Sequence, residues 1–111
     1  MIKMYAIKNC DTVKKAMKHL EAKGLEFDFF DFKKEVPTKE DILRWKDFFS
    51  DWPVNTRGRT FRLFKDDFES ATDAKKIALI QENLSAVKRP VLEVNGKVVA
   101  MGYDKEAYEG L

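Results

Sequence analysis

Within roughly thirty residues the chain passes from strand to helix to strand, and that passage restricts the fold more than any other feature. Ile2, Met4, Ala6 and Ile7 form a short apolar run of strand length with imperfect alternation. Val13, Ala16, Met17 and Leu20 then recur at helical spacing, which predicts a helix from about Asp11 to Lys23 with Gly24 as its left-handed stop. His19 falls on the outer face of that helix, where it reads as solvated and inert. Leu25 to Phe32 reads as a second strand, with Phe27, Phe29 and Phe30 supplying bulk and Asp28 and Asp31 punctuating it. Such a βαβ crossover makes its strands parallel and is almost always right-handed. The Cys10 turn and the Asp31 region therefore share one edge of a sheet.

Cys10, the single cysteine of 111 residues, lies where the first strand becomes the first helix, on a turn made by Asn9, Cys10 and Asp11. A helix start offers unpaired N–H groups and the positive end of the dipole, so a thiol there ionises more easily, and the thiolate is the nucleophile. Lys8, Lys14 and Lys15 add positive charge nearby. A lone cysteine otherwise reads as a small buried hydrophobe; its place at a helix start favours the reactive reading.

The length predicts one domain over residues 1–111, large enough to bury a core without disulfides or metal. With 21 basic and 19 acidic side chains the net charge is +2, which offers no electrostatic case for a nucleic-acid or membrane partner. One cysteine excludes an intrachain disulfide and a cysteine zinc cluster, so no metal site is expected, and it suits a reducing compartment. The start has no long apolar signal core and no stretch approaches the roughly 18 apolar residues of a membrane span. A soluble, cytoplasmic protein is expected.

Thr38 reads as the N-cap of the next helix, with Asp41 near its positive end and Ile42, Trp45 and Phe49 on one core stripe flanked by Leu43 and Phe48. Ser50-Asp-Trp-Pro53 ends it, and Val54 to Arg62 reads as a polar, arginine-rich loop hinged at Gly58, re-anchored by Phe61, Leu63, Phe64 and Phe68 through a short helix. Thr72 or Asp73 caps a further helix striped by Ile77, Ile80 and Leu84. Val91 to Val94 and Lys97 to Met101, joined by Asn95-Gly96, carry the strongest hairpin signal in the chain. A short final helix runs from Lys105 to Glu109.

The predicted fold is α/β: β-α-β, a helical insertion at about 36–86, a helix, then β-β-α on a mixed sheet. With cysteine at the first strand-to-helix junction and Pro90 opening the hairpin, this is the layout of the thioredoxin-like fold. The segments Tyr5-Ala-Ile-Lys-Asn-Cys-Asp-Thr-Val-Lys-Lys-Ala16, Val54-Asn-Thr-Arg-Gly58, Lys88-Arg-Pro-Val-Leu92 and Gly102-Tyr103 resemble the arsenate reductase (ArsC)-related family, in its Spx/YffB-like branch. The resemblance covers essentially the whole chain.

The resemblance implies that Cys10 is the nucleophile, that Pro90 is the proline whose preceding peptide is cis and packs beside the thiol, and that Arg89 helps bind an oxyanion. Arg57 is its best match to a second anion-binding arginine, with Arg59 and Arg62 close enough to compete, and Asn9 and Thr12 complete the candidate anion site around Cys10. Guanidinium groups suit such ligands because they present forked donors.

Two positions depart from the family pattern. The third arginine of the reductases is replaced by apolar residues near Met101, which predicts weak or absent arsenate turnover. The second cysteine of the Spx regulators is replaced by Val13, so no internal thiol switch can form. An oxidised or arsenylated Cys10 must then be resolved by an outside thiol, which points to glutathione, or another small thiol, as co-substrate with no bound cofactor.

The expected activity is a glutathione-dependent monothiol reductase acting on a small oxyanion or thiol substrate. The alternative is an Spx-like regulator that binds RNA polymerase without catalysis. Arg57-Gly-Arg-Thr-Phe-Arg62 interleaves arginine with an aromatic as single-strand binders do, but Asp66, Asp67 and Glu69 dilute its charge, and no direct nucleic-acid binding is expected.

Overall fold

The computed structural model describes residues 1–111, which separate into two compact units: Met1–Glu35 with Arg89–Leu111, and Val36–Lys88. The first unit contains β1 (Ile2–Ala6), α1 (Asp11–Ala22), β2 (Phe27–Asp31), β3 (Val91–Val94), β4 (Lys97–Met101) and α5 (Lys105–Glu109). The second contains α2 (Lys39–Phe49), α3 (Arg59–Glu69), α4 (Asp73–Glu82) and a 3-10 turn at Leu84–Ala86. No helix is long and apolar enough to cross a membrane.

The sheet has the order β2-β1-β3-β4. Strands β1 and β2 are parallel, while β3 runs antiparallel to both β1 and β4, so the sheet is mixed. Tyr5 pairs with both Phe30 and Val91, and Val91 pairs with Met101. This register brings the end of β1, the start of β3 and the end of β4 to one edge. Gly102 N–H donates to the Pro90 carbonyl there at 2.9 Å.

One face of the sheet packs Met4, Ala6, Leu92 and Ala100 with Val13, Ala16 and Leu20 of α1 and Tyr108 of α5 in a single apolar cluster. The 3.6-residue spacing on α1 is thus the spacing of its buried stripe. α1 stops one residue short of expectation, with Lys23 as C-cap, and Gly24 follows at φ +69°, a conformation glycine adopts without steric cost. The hairpin turn places Asn95 at φ 52° and Gly96 at φ 82°, the left-handed pair that matches the strands' twist.

In the second unit Thr38 and Asp41 cap α2 reciprocally: Asp41 N–H donates to Thr38 Oγ1 at 3.1 Å and Thr38 N–H to Asp41 Oδ2 at 2.9 Å. Ile42 and Trp45 are buried, as their stripe requires. The loop expected over Val54–Arg62 is shorter than its composition suggests. Gly58 serves as N-cap and an eleven-residue helix, α3, begins at Arg59. Phe61, Phe64 and Phe68 bury one face of α3 in edge-to-face contacts with centroids 5.4 to 6.1 Å apart. Leu63, expected among the anchors, falls between them and is 83% exposed.

Candidate active site

Cys10 is the N-cap of α1 and is half-buried, reached from β1 through the turn at Lys8 and Asn9. Its backbone is extended (φ −117°, ψ 129°), and its carbonyl accepts the first helical bond, from Lys14 N–H, at 3.0 Å. The neutral thiol makes no capping hydrogen bond. Partial burial pushes the thiol up, but the N–H groups of Val13 and Thr12 face the sulfur, and the Arg89 guanidinium donates to it and adds its charge. Together these outweigh burial and hold the thiol below its ordinary value. The thiolate is therefore stabilised by two helix-start donors and one guanidinium.

The flanking lysines do not share that role. Lys8 places its Nζ over the Phe29 ring at 5.5 Å, and Lys14 and Lys15 are exposed. The cation that acts on Cys10 is Arg89, held by the register of β3 against β1, and the peptide joining it to Pro90 is cis. Thr12 contributes its backbone N–H, and Asn9 is exposed on the turn before the thiol.

Arg57 belongs to the second unit. There it lines a pocket of about 300 Å³ with Asn55, Thr56 and Lys88 beside Asp51. Asn55 shapes this loop: its Oδ1 accepts from Arg57 N–H at 3.3 Å and its carbonyl from Gly58 N–H at 2.9 Å. Arg59 and Arg62 are exposed within α3 and outside this loop. No group of three or more His, Cys, Asp or Glu side chains is placed to hold a metal ion.

His19 corrects the sequence reading. Its side chain is only 9% exposed and is bonded on both ring nitrogens, to Tyr103 and to Glu109. Helical spacing placed it off the apolar stripe, but the β4–α5 turn and α5 return across that side of α1. Partners 84 or more positions away leave no local signal.

The thioredoxin-like sheet thus carries a lone thiol at the first helix start, held below its ordinary pKa and faced by an arginine that precedes a cis proline. The chain belongs to the ArsC family, whose sequence model matches residues 5–111. Among solved structures it is similar to the YFFB protein, with 33% identity, a TM-score of 0.85 and coverage of 99% of this chain and 97% of that one. It is also similar to a possible arsenate reductase from Streptococcus mutans, at 28% identity and a TM-score of 0.80, covering 99% and 96%. Among curated relatives, the global transcriptional regulator Spx of Listeria innocua is 25% identical over 96% of this chain and 82% of its own length.

Proposed function

We propose that this ArsC-family chain is a glutathione-dependent monothiol reductase acting in a reducing cytoplasm. The observation that carries the reading is the convergence of the Thr12 and Val13 N–H groups and the Arg89 guanidinium on a single half-buried thiol. The Cys10 thiolate attacks one sulfur of a disulfide between a substrate thiol and glutathione. The S–S bond breaks, the substrate leaves as a thiol after taking a proton, and Cys10 is joined to glutathione. A glutathione thiolate then attacks the glutathione sulfur, restoring the Cys10 thiolate and releasing oxidised glutathione. The net change converts the substrate–glutathione disulfide and one reduced glutathione into the substrate thiol and oxidised glutathione.

Arg89 suits a carboxylate or oxyanion on the incoming molecule, and Arg57, which lines a pocket with Lys88, offers the same forked donors. Turnover of a glutathionylated dithiol-free peptide, coupled to reduction of oxidised glutathione, tests the proposal. Activity lost in Cys10→Ser supports it, and activity retained there contradicts it.

The 25% identity to Spx regulators favours a second reading, in which the chain binds RNA polymerase without catalysis. Val13 stands where those regulators resemble this chain but carry a second cysteine, and it is fully buried in the core. A redox-switched version is therefore excluded, whereas constitutive binding is not. Pull-down with the polymerase alpha subunit separates the two: capture without thiol turnover supports the regulator, and turnover without capture supports the reductase.

A further inference from the structure

His19 in the later turns of α1, Tyr103 after β4 and Glu109 at the end of α5 form an array of polar side chains distinct from the thiol. His19 lies nine positions after Cys10, which at 1.5 Å per residue is about 13 Å along the helix axis. Its Nε2 is 3.2 Å from Glu109 Oε1 and its Nδ1 is 2.6 Å from Tyr103 Oη. A carboxylate only accepts, so Nε2 carries the proton of the neutral ring. Nδ1 is then an acceptor, and the Tyr103 hydroxyl donates to it.

The order carboxylate, imidazole, hydroxyl is the arrangement that activates a nucleophilic oxygen, with the base oriented by a third group. The rings are held in place, since Tyr103 packs edge-on to Tyr108 at 5.2 Å and His19 lies 5.6 Å from the same ring. The array opens into a pocket of about 440 Å³ rimmed by Lys15, Lys18 and Lys105. Tyr5 and Tyr108 are buried, so Tyr103 is the one tyrosine presented to solvent.

We propose that Tyr103, His19 and Glu109 form a second catalytic centre, in which the Tyr103 hydroxyl accepts an acyl group from an activated, negatively charged ester drawn in by the lysine rim. Tyr103 Oη attacks the ester carbonyl while its proton passes to His19 Nδ1, and Glu109 pairs with the imidazolium so formed. The bond to the leaving group breaks, and the leaving oxygen takes the proton from Nδ1. Water then attacks the acyl-tyrosine while its proton passes to His19 Nδ1; the bond from the acyl carbon to Tyr103 Oη breaks, Oη takes the proton back from Nδ1, and a carboxylic acid is released. No oxidant or reductant is involved.

The test uses the full chain carrying Cys10→Ser, which removes the thiol as a competing nucleophile. Release of 4-nitrophenolate is followed from mono-4-nitrophenyl glutarate and from 4-nitrophenyl acetate, with peptide mapping of the acylated protein. The expected result is a glutaryl group on Tyr103, faster reaction of the anionic ester, and a rate lower by on the order of 100-fold in Tyr103→Phe and in His19→Asn. Tyr103→Phe keeps the ring that packs on Tyr108, so its loss of rate reports chemistry rather than unfolding. Acylation confined to lysines, or an undiminished rate in Tyr103→Phe, overturns the proposal. Equal rates for the two esters overturn the role of the lysine rim.

Discussion

Arg89→Ala removes the only side-chain cation acting on the Cys10 thiolate and leaves its backbone donors in place. A hydrogen bond to a charged group contributes about 1.5–3 kcal/mol, and one pKa unit corresponds to about 1.4 kcal/mol. Arg89 and Cys10 are both partly exposed, so solvent screening favours the low end of that range, about 1.5 kcal/mol, and the thiol pKa rises toward its ordinary value. At a pH below both values the thiolate fraction, and with it the alkylation rate, should fall about tenfold. Arg89→Lys keeps the charge but not the planar fork and should fall between the two. The assay is the iodoacetamide rate against pH for the three proteins, with circular dichroism to confirm the fold. A midpoint in Arg89→Ala equal to that of the wild type would refute the electrostatic reasoning.

Because the folded thiol sits below the ordinary value of about 8.5, the stability it contributes is present above that pH and is lost as pH falls through the folded value. Thermal unfolding should therefore show Cys10→Ser losing more stability relative to the wild type near pH 9 than near pH 5, and a difference flat with pH would contradict this. Burial pushes the Asp41 carboxyl up, but the Thr38 backbone N–H, Arg44 and the Thr38 hydroxyl outweigh it, so its contribution is present above about pH 4 and fades as pH falls through the lower folded value. Thr38→Ala should cost about 1 kcal/mol in urea unfolding at neutral pH, and no loss would remove the capping box from the account. The Tyr108 hydroxyl is buried without a hydrogen-bond partner, and burial drives its phenol pKa well up. Tyr108→Phe should leave the protein as stable or raise stability by about 1 kcal/mol; a clear loss on denaturation would show that the hydroxyl has a partner.

The parts of the fold readable from the chain are those set by local chemistry. Val13, Ala16 and Leu20 repeat at the spacing that buries them, Asn95 and Gly96 accept the left-handed turn, and Thr38 with Asp41 is a reciprocal cap whose members are three residues apart. The helix of α3 is legible in Phe61, Phe64 and Phe68, but its start is not, because Arg57, Arg59 and Arg62 make that stretch look like a loop. At the site, the helix-start position of Cys10 was legible from the strand-to-helix junction. Arg89 entered the sequence reading only through the family resemblance, beside Pro90, because strand register, rather than distance along the chain, decides which cation meets the thiol. His19 was misread for the same reason, since Tyr103 and Glu109 reach it only through the tertiary fold.

The most direct test of the monothiol reductase account is intact-protein mass spectrometry after treatment with oxidised glutathione and again after addition of reduced glutathione. The account predicts one glutathione on Cys10, formed faster as pH approaches the thiol's lowered pKa from below, and its complete release by reduced glutathione. Unmodified protein, or only a Cys10–Cys10 dimer, would contradict it.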